Sequence, residues 1–308
     1  MFLEQGIKPE NKFWKYLLGS VFIIAASFIG QIPFLIAVFY KSIINKQGFP
    51  SDDKMIMKMF ESNLTLFLVM ISFVFVFAGL FFVIKYIHNQ TLLSITTARK
   101  KIDWNRIFFS FLLWASFSII SFLILYFNSP KSFVVNFKLV PFLILFIIGT
   151  ALIPIQTSAE EYVFRGYLMQ GFANLAKNKW LPLLMTSLIF GSLHWTNPEV
   201  AKLGDIVMIY YIGTGLFLGI ITLMDEGIEL ALGFHAANNL VGALLVTSDW
   251  SVFQTHSIFI DISEPSASFD VIMPVVVAYP ILLFIYAKKY KWNDWKEKLM
   301  GRIYILKS

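Results

Sequence analysis

Along this chain, apolar residues are grouped in long blocks separated by short charged connections, and within a block hardly any polar position recurs with a helical or strand period. Such blocks predict segments that are apolar all round, each a helix with lipid rather than one soluble core as its partner. Crossing about 30 Å of hydrocarbon takes roughly 20 residues at about 1.5 Å each. Eight candidates follow: Tyr16 to Tyr40, Leu64 to Ile84, Ile107 to Phe127, Leu139 to Ile155, Trp180 to Trp195, Ile206 to Met224, Leu230 to Val246 and Val271 to Ala287. The first three are uncharged and rich in Phe, Ile, Leu and Val. Tyr16 to Tyr40 is longer than the apolar core of a signal peptide and is followed by further spans, so it is expected to stay as a helix of the protein.

Composition agrees with lipid as the solvent. Of 308 residues, 57% are hydrophobic and 14% charged, and mean hydropathy is +0.71. A soluble domain averages about 25% charged residues, so an ordinary soluble enzyme is excluded. The net charge of +6 reflects orientation in a membrane rather than nucleic-acid binding. With both termini on one side, that side collects 18 of the 25 Lys and Arg and the other collects 7, which predicts cytoplasmic termini. The first external loop, with Lys41, Lys46, Lys54 and Lys58, runs against this bias. Lys288 to Ser308 mixes lysines with Trp292, Trp295, Leu299, Ile303 and Tyr304, which suits a short basic helix on the cytoplasmic surface. There is no cysteine, so chemistry must come from His, carboxylates, hydroxyls, Lys or Asn.

An ionisable side chain within a span is costly and is therefore a candidate for function. His88 falls in a loop and His256 in the acidic connection before the last span, whereas His194 and His235 fall within apolar blocks. Glu160 and Glu161 follow the apolar run from Leu139. On a helix Glu161 and Arg165 are i and i+4 neighbours and can neutralise each other. Glu160, about 100° away, points elsewhere and suits a general base. These acids could equally mark the start of a helix at the membrane boundary. Phe190 and His194, and His235 and Asn239, repeat the i, i+4 spacing, the second pair separated by small alanines that leave room for a substrate or water. If Glu160, His194, His235 and Asn239 converge, a base, two imidazoles and an oxyanion donor share one pocket.

The three patterns E-E-x-x-x-R (Glu160 to Arg165), F-x-x-x-H (Phe190 to His194) and H-x-x-x-N (His235 to Asn239), in that order on consecutive apolar blocks, resemble the CPBP family. That family comprises type II CAAX prenyl endopeptidases and Abi-like intramembrane proteases. The resemblance covers about a third of the chain and divides it into 1–138, helices without a motif; 139–247, the protease-like core; and 248–308, a last helix with a basic tail. It implies an all-α, polytopic membrane bundle whose polar cavity opens toward the cytosol and hydrolyses peptide bonds of a membrane-associated substrate. By the same resemblance Glu160 with His194 activates water, His235 and Asn239 stabilise the oxyanion, and Glu161, Arg165 and Phe190 support them.

The residues leave a metal open. Glu160, His194 and His235 could hold Zn²⁺ with a free position for water. No H-E-x-x-H is present, however, and asparagine is a poor zinc ligand but a good oxyanion donor, so a glutamate-activated water without a cofactor is expected. Two further readings are a proton-coupled carrier and a non-catalytic scaffold or immunity protein. Against the carrier, polar residues crowd the second half without a matching first half; against the scaffold, all four candidate residues are intact. Abundant Phe, Ile, Lys and Asn suggest a bacterial source and thus an inner-membrane enzyme with its active site toward the cytoplasm. The substrate and the oligomeric state are not legible.

Overall fold

The computed structural model describes residues 1–303 apart from Pro9, 47–48, 51–52 and 266–268; Tyr304 and Lys307 of the basic tail lie outside the described residues. It is an all-α bundle, and the protein is an integral, multi-pass membrane protein. Among the described residues, six helices are long and apolar enough to cross a membrane: α1 (Phe13–Ile44), α2 (Ser62–Ile87), α3 (Trp104–Asn128), α4 (Leu139–Ala176), α7 (Val207–Asp225) and α9 (Val271–Tyr290). Shorter ones are α5 (Trp180–Ser192), α6 (Pro198–Leu203), α8 (Glu229–Leu245) and α10 (Trp295–Met300).

Eight spans were expected, and the two that fall short, α5 and α8, differ for physical reasons. α5 ends at Ser192, and a turn then leads to Pro198, which begins α6. α8 has 17 residues, of which 11 are buried. It packs against α3, α4 and α7, so it needs no apolar face toward lipid and can carry His235, Asn238 and Asn239. By contrast, the most apolar window of α1 is only 17% buried, leaving most of its surface for acyl chains.

The helices alternate in direction. One end of the bundle gathers the N-terminal residues, 88–103, 225–229 and the tail, where Phe2 N donates to Glu226 and Lys298 pairs with the same carboxylate. The tail is docked rather than free: Trp292 Nε1 donates to Asp225 at 3.2 Å and Ile303 N to the Lys177 carbonyl at 2.9 Å. His88, in its loop, is buried between Asn11 at 3.1 Å and the Tyr167 hydroxyl at 3.0 Å. At the opposite end a small sheet, absent from the sequence reading, joins β1 (Phe133–Val135), β2 (Val246–Thr247) and β3 (Phe259–Asp261). β3 lies in the middle, antiparallel to β1 and parallel to β2. There His256 pairs with Glu61, whose carboxylate caps the start of α2.

Candidate active site

The two glutamates sit deep within a continuous helix, not at a helix start. α4 runs unbroken from Leu139 to Ala176, with Pro154 two residues before Gln156 and a π-helical stretch, Tyr162–Leu168, directly after Glu161. Widening the helix there rotates the residues that follow relative to a plain α-helix, a device frequent at functional sites. Arg165 remains in reach of Glu161, donating from Nη1 at 2.8 Å. Both side chains are fully buried. The guanidinium also donates from Nη2 to the Gly215 carbonyl at 3.2 Å and lies 4.3 Å from the centre of the Phe190 ring, so α4, α5 and α7 meet on one cation.

Glu161 does more than neutralise Arg165. The same Oε1 receives His235 Nδ1 at 2.7 Å, while His235 Nε2 faces Glu160 Oε2 at 3.6 Å. Both carboxylates thus address opposite nitrogens of one imidazole. The expectation that Glu160 points away from its neighbour's partners is corrected here: a ring spanning the gap between helices reaches both acids, and the 100° offset separates them by no more than the width of an imidazole.

A chain of amides continues from Glu160. Gln156, one turn back on α4, donates to Glu160 Oε1; Asn239 Nδ2 donates to Gln156 Oε1 at 3.1 Å. Asn238 Nδ2 donates to Asn239 Oδ1 at 3.1 Å, and Trp114 Nε1 of α3 donates to Asn238 Oδ1 at 3.1 Å. Every donor points toward the carboxylate, the polarity expected of a chain that ends on an anion. Gln156, Asn238 and Trp114 were not singled out from the sequence. Gln156 was detectable as the i−4 neighbour of Glu160, whereas Trp114 had no local signal.

His194 stands in the turn after α5, not on the helix with Phe190. Its Nδ1 bonds the Phe190 carbonyl at 2.8 Å, and its ring stacks on Tyr211 at 4.4 Å. Because a carbonyl only accepts, Nδ1 carries the proton and Nε2 keeps a lone pair when the ring is neutral. Phe190 lies against both imidazoles, 4.8 Å from His194 and 6.0 Å from His235 between ring centres. Among the described residues, no three His, Asp or Glu side chains are gathered as a metal-binding set.

Comparison with known proteins bears on this arrangement. Residues 136–241 match the family model of Rce1-like, type II CAAX prenyl endopeptidases. The uncharacterized protein YyaK of Bacillus subtilis (strain 168) is 29% identical over 248 residues, covering 80% of this chain and 82% of that protein. No solved structure matches the chain.

Proposed function

We propose, from the match of residues 136–241 to the family model of Rce1-like, type II CAAX prenyl endopeptidases, that the chain is a bacterial intramembrane endopeptidase acting on a membrane-associated protein or peptide, with a glutamate-activated water as nucleophile. The family is one of CAAX-type membrane proteases, which are hydrolases. The observation that carries the finer reading is the pairing of Glu160 and Glu161 across the two nitrogens of His235.

Glu160 is the partly exposed member, its side chain 19% accessible against none for Glu161, so it is the carboxylate a water can reach. It takes one water proton as the oxygen attacks the peptide carbonyl, with the lone pair of His194 Nε2 as a second acceptor. Glu161, neutralised by Arg165, holds the Nδ1 proton of His235 and thereby turns Nε2 toward the reacting carbonyl. With a proton on both nitrogens of His235, the two acids and two bases of this cluster sum to zero charge, which suits a buried group of four. Nε2–H then faces the developing oxyanion. Asn239 Nδ2 supplies the second donor when it leaves Gln156 for that oxygen. Collapse of the tetrahedral intermediate returns the proton from Glu160 to the leaving amine, so protons balance over one turnover.

We assign no step to a metal. The test is cleavage of fluorogenic, membrane-anchored peptides by the purified chain, comparing wild type, Glu160→Gln, and wild type with a chelator. Cleavage lost in the variant and kept under chelation is expected. Activity retained in Glu160→Gln overturns the assignment, and activity lost to chelation and restored by zinc would favour a metalloprotease using the same residues.

A further inference from the structure

A single hydrogen bond does not fix a ring. The bond from His194 Nδ1 to the Phe190 carbonyl, at 2.8 Å, sets the tautomer but leaves the imidazole able to turn about it. Two aromatic side chains touch that imidazole. Phe190 is tilted to it by 51°, and its own ring also carries the Arg165 guanidinium at 4.3 Å. Tyr211 of α7 lies nearly parallel, with 23° between the planes and 4.4 Å between ring centres, so it covers a face of the imidazole and defines its plane. The charged groups that act on His194 are Glu160, His235 and Arg165, and Nε2 is the nitrogen left to serve them.

Tyr211 also reaches the far end of the turn that carries His194. Asn197 N donates to the His194 carbonyl at 3.0 Å, which closes residues 194–197 on themselves. Asn197 precedes Pro198, where an asparagine commonly caps the helix that follows, yet its side chain makes no capping bond. Its Nδ2 donates to the Tyr211 hydroxyl at 3.0 Å. One tyrosine therefore holds the turn at both ends, by its ring at His194 and by its hydroxyl at Asn197. The helix that presents it is itself pinned one turn on, at Gly215. A Cβ there would lie 2.9 Å from the Ser187 carbonyl oxygen of α5, and the Gly215 carbonyl receives Arg165 Nη2 at 3.2 Å.

Resting on the protease reading above, we infer that Tyr211 is a positioning residue of the reaction, fixing the plane of His194 so that the lone pair of Nε2 meets the water that Glu160 deprotonates. His194 stands on a turn, and a turn holds a reacting group less precisely than a helix does, so the precision is borrowed from α7. Tyr211 acts on the chemical step through His194 and not on substrate binding. Packing is the competing role, since Tyr211 also lies against Val200, Val207 and Met208.

The test applies the cleavage assay to the full chain with Tyr211→Leu, Tyr211→Phe, His194→Ala and the double variant Tyr211→Leu/His194→Ala; Tyr211→Met replaces Tyr211→Leu if the latter does not fold. Tyr211→Leu is expected to lower kcat by about 10–100-fold with KM little changed, as misplacing a reacting group by about 1 Å does. Tyr211→Phe keeps the stacked ring and should retain most of the rate. The double variant should be no slower than His194→Ala, because without the imidazole there is nothing to position. Losses that multiply in the double variant, as lost packing would give, a Tyr211→Leu kcat equal to wild type, or a Tyr211→Phe as slow as Tyr211→Leu each overturn the assignment. A second readout needs no catalysis. NMR of the chain carrying isotope-labelled histidine, with the His194 signal identified by its loss in His194→Ala, should show the proton on Nδ1 in wild type and averaged tautomers in Tyr211→Leu. If wild type cleaves no peptide while Tyr211→Leu averages the tautomers, the positioning stands and the protease reading fails. Cleavage by wild type, with rate and spectrum unchanged in Tyr211→Leu, gives the converse.

Discussion

The buried pair Glu161–Arg165 offers the sharpest separation of stability from catalysis. Both side chains are fully buried, and Arg165 spends its donors on Glu161 Oε1 and the Gly215 carbonyl. Arg165→Met removes the cation and leaves the Glu161 carboxylate facing His235 alone, an uncompensated buried charge that costs about 3–5 kcal/mol. Glu161→Met strands the guanidinium at similar cost. The double variant Glu161→Met/Arg165→Met removes both charges with side chains of comparable length, and such replacements of buried pairs are often neutral or stabilising. Unfolding in detergent, followed by protease susceptibility or calorimetry, should therefore rank both single variants well below wild type and return the double variant to within about 1–2 kcal/mol of it. Cleavage should not return. Without Glu161 nothing holds the Nδ1 proton of His235 or aims Nε2, and loss of an oriented oxyanion donor costs about 10²–10³ in kcat. A double variant no more stable than either single one refutes the energetic argument, and one that regains wild-type kcat refutes the positioning role of Glu161.

Gln156→Leu should lower kcat and cost about 1–3 kcal/mol in unfolding measurements, because Glu160 loses its donor and the Asn239 amide its acceptor. Trp114→Phe removes the bond to Asn238 and, by shrinking a buried indole to a phenyl ring, leaves a gap in the core, with an expected loss of about 1–3 kcal/mol and a small effect on kcat; a large kcat effect would show that the far end of the amide chain matters for chemistry. His88 titrates low, at about 4 rather than 6.5, because burial penalises its charged form and Lys15 and Lys8 oppose it. Its folded pKa being depressed, the stability it contributes is full above about pH 6.5 and declines by up to about 3 kcal/mol as pH falls through about 4; His88→Gln should flatten that part of the pH–stability curve. Burial raises the pKa of Glu199. The stability it contributes is thus lost as pH rises through its folded value, so Glu199→Gln should raise unfolding stability at neutral pH and not under acidic conditions.

Much of this protein was decided by its sequence alone. Runs such as Leu64 to Ile84 and Ile107 to Phe127 can only be lipid-facing helices, because no soluble core could hide them and an unpaired backbone is not tolerated in hydrocarbon. The spacings within Glu160 to Arg165 and within His235 to Asn239 set which of their side chains share a helix face, since 3.6 residues per turn is a local property. What tertiary structure decided are the bonds between helices far apart in the chain. Glu161 meets His235, 74 positions along the chain, and Gln156 meets Asn239, 83 positions along, and no local spacing encodes such a meeting. The shortness of α8, the turn that carries His194 and the amide chain reaching Trp114 all follow from which helix packs on which. Residues 229–245 could be polar and brief because other helices surround them, and burial by neighbours is a property of the assembled bundle, not of the segment.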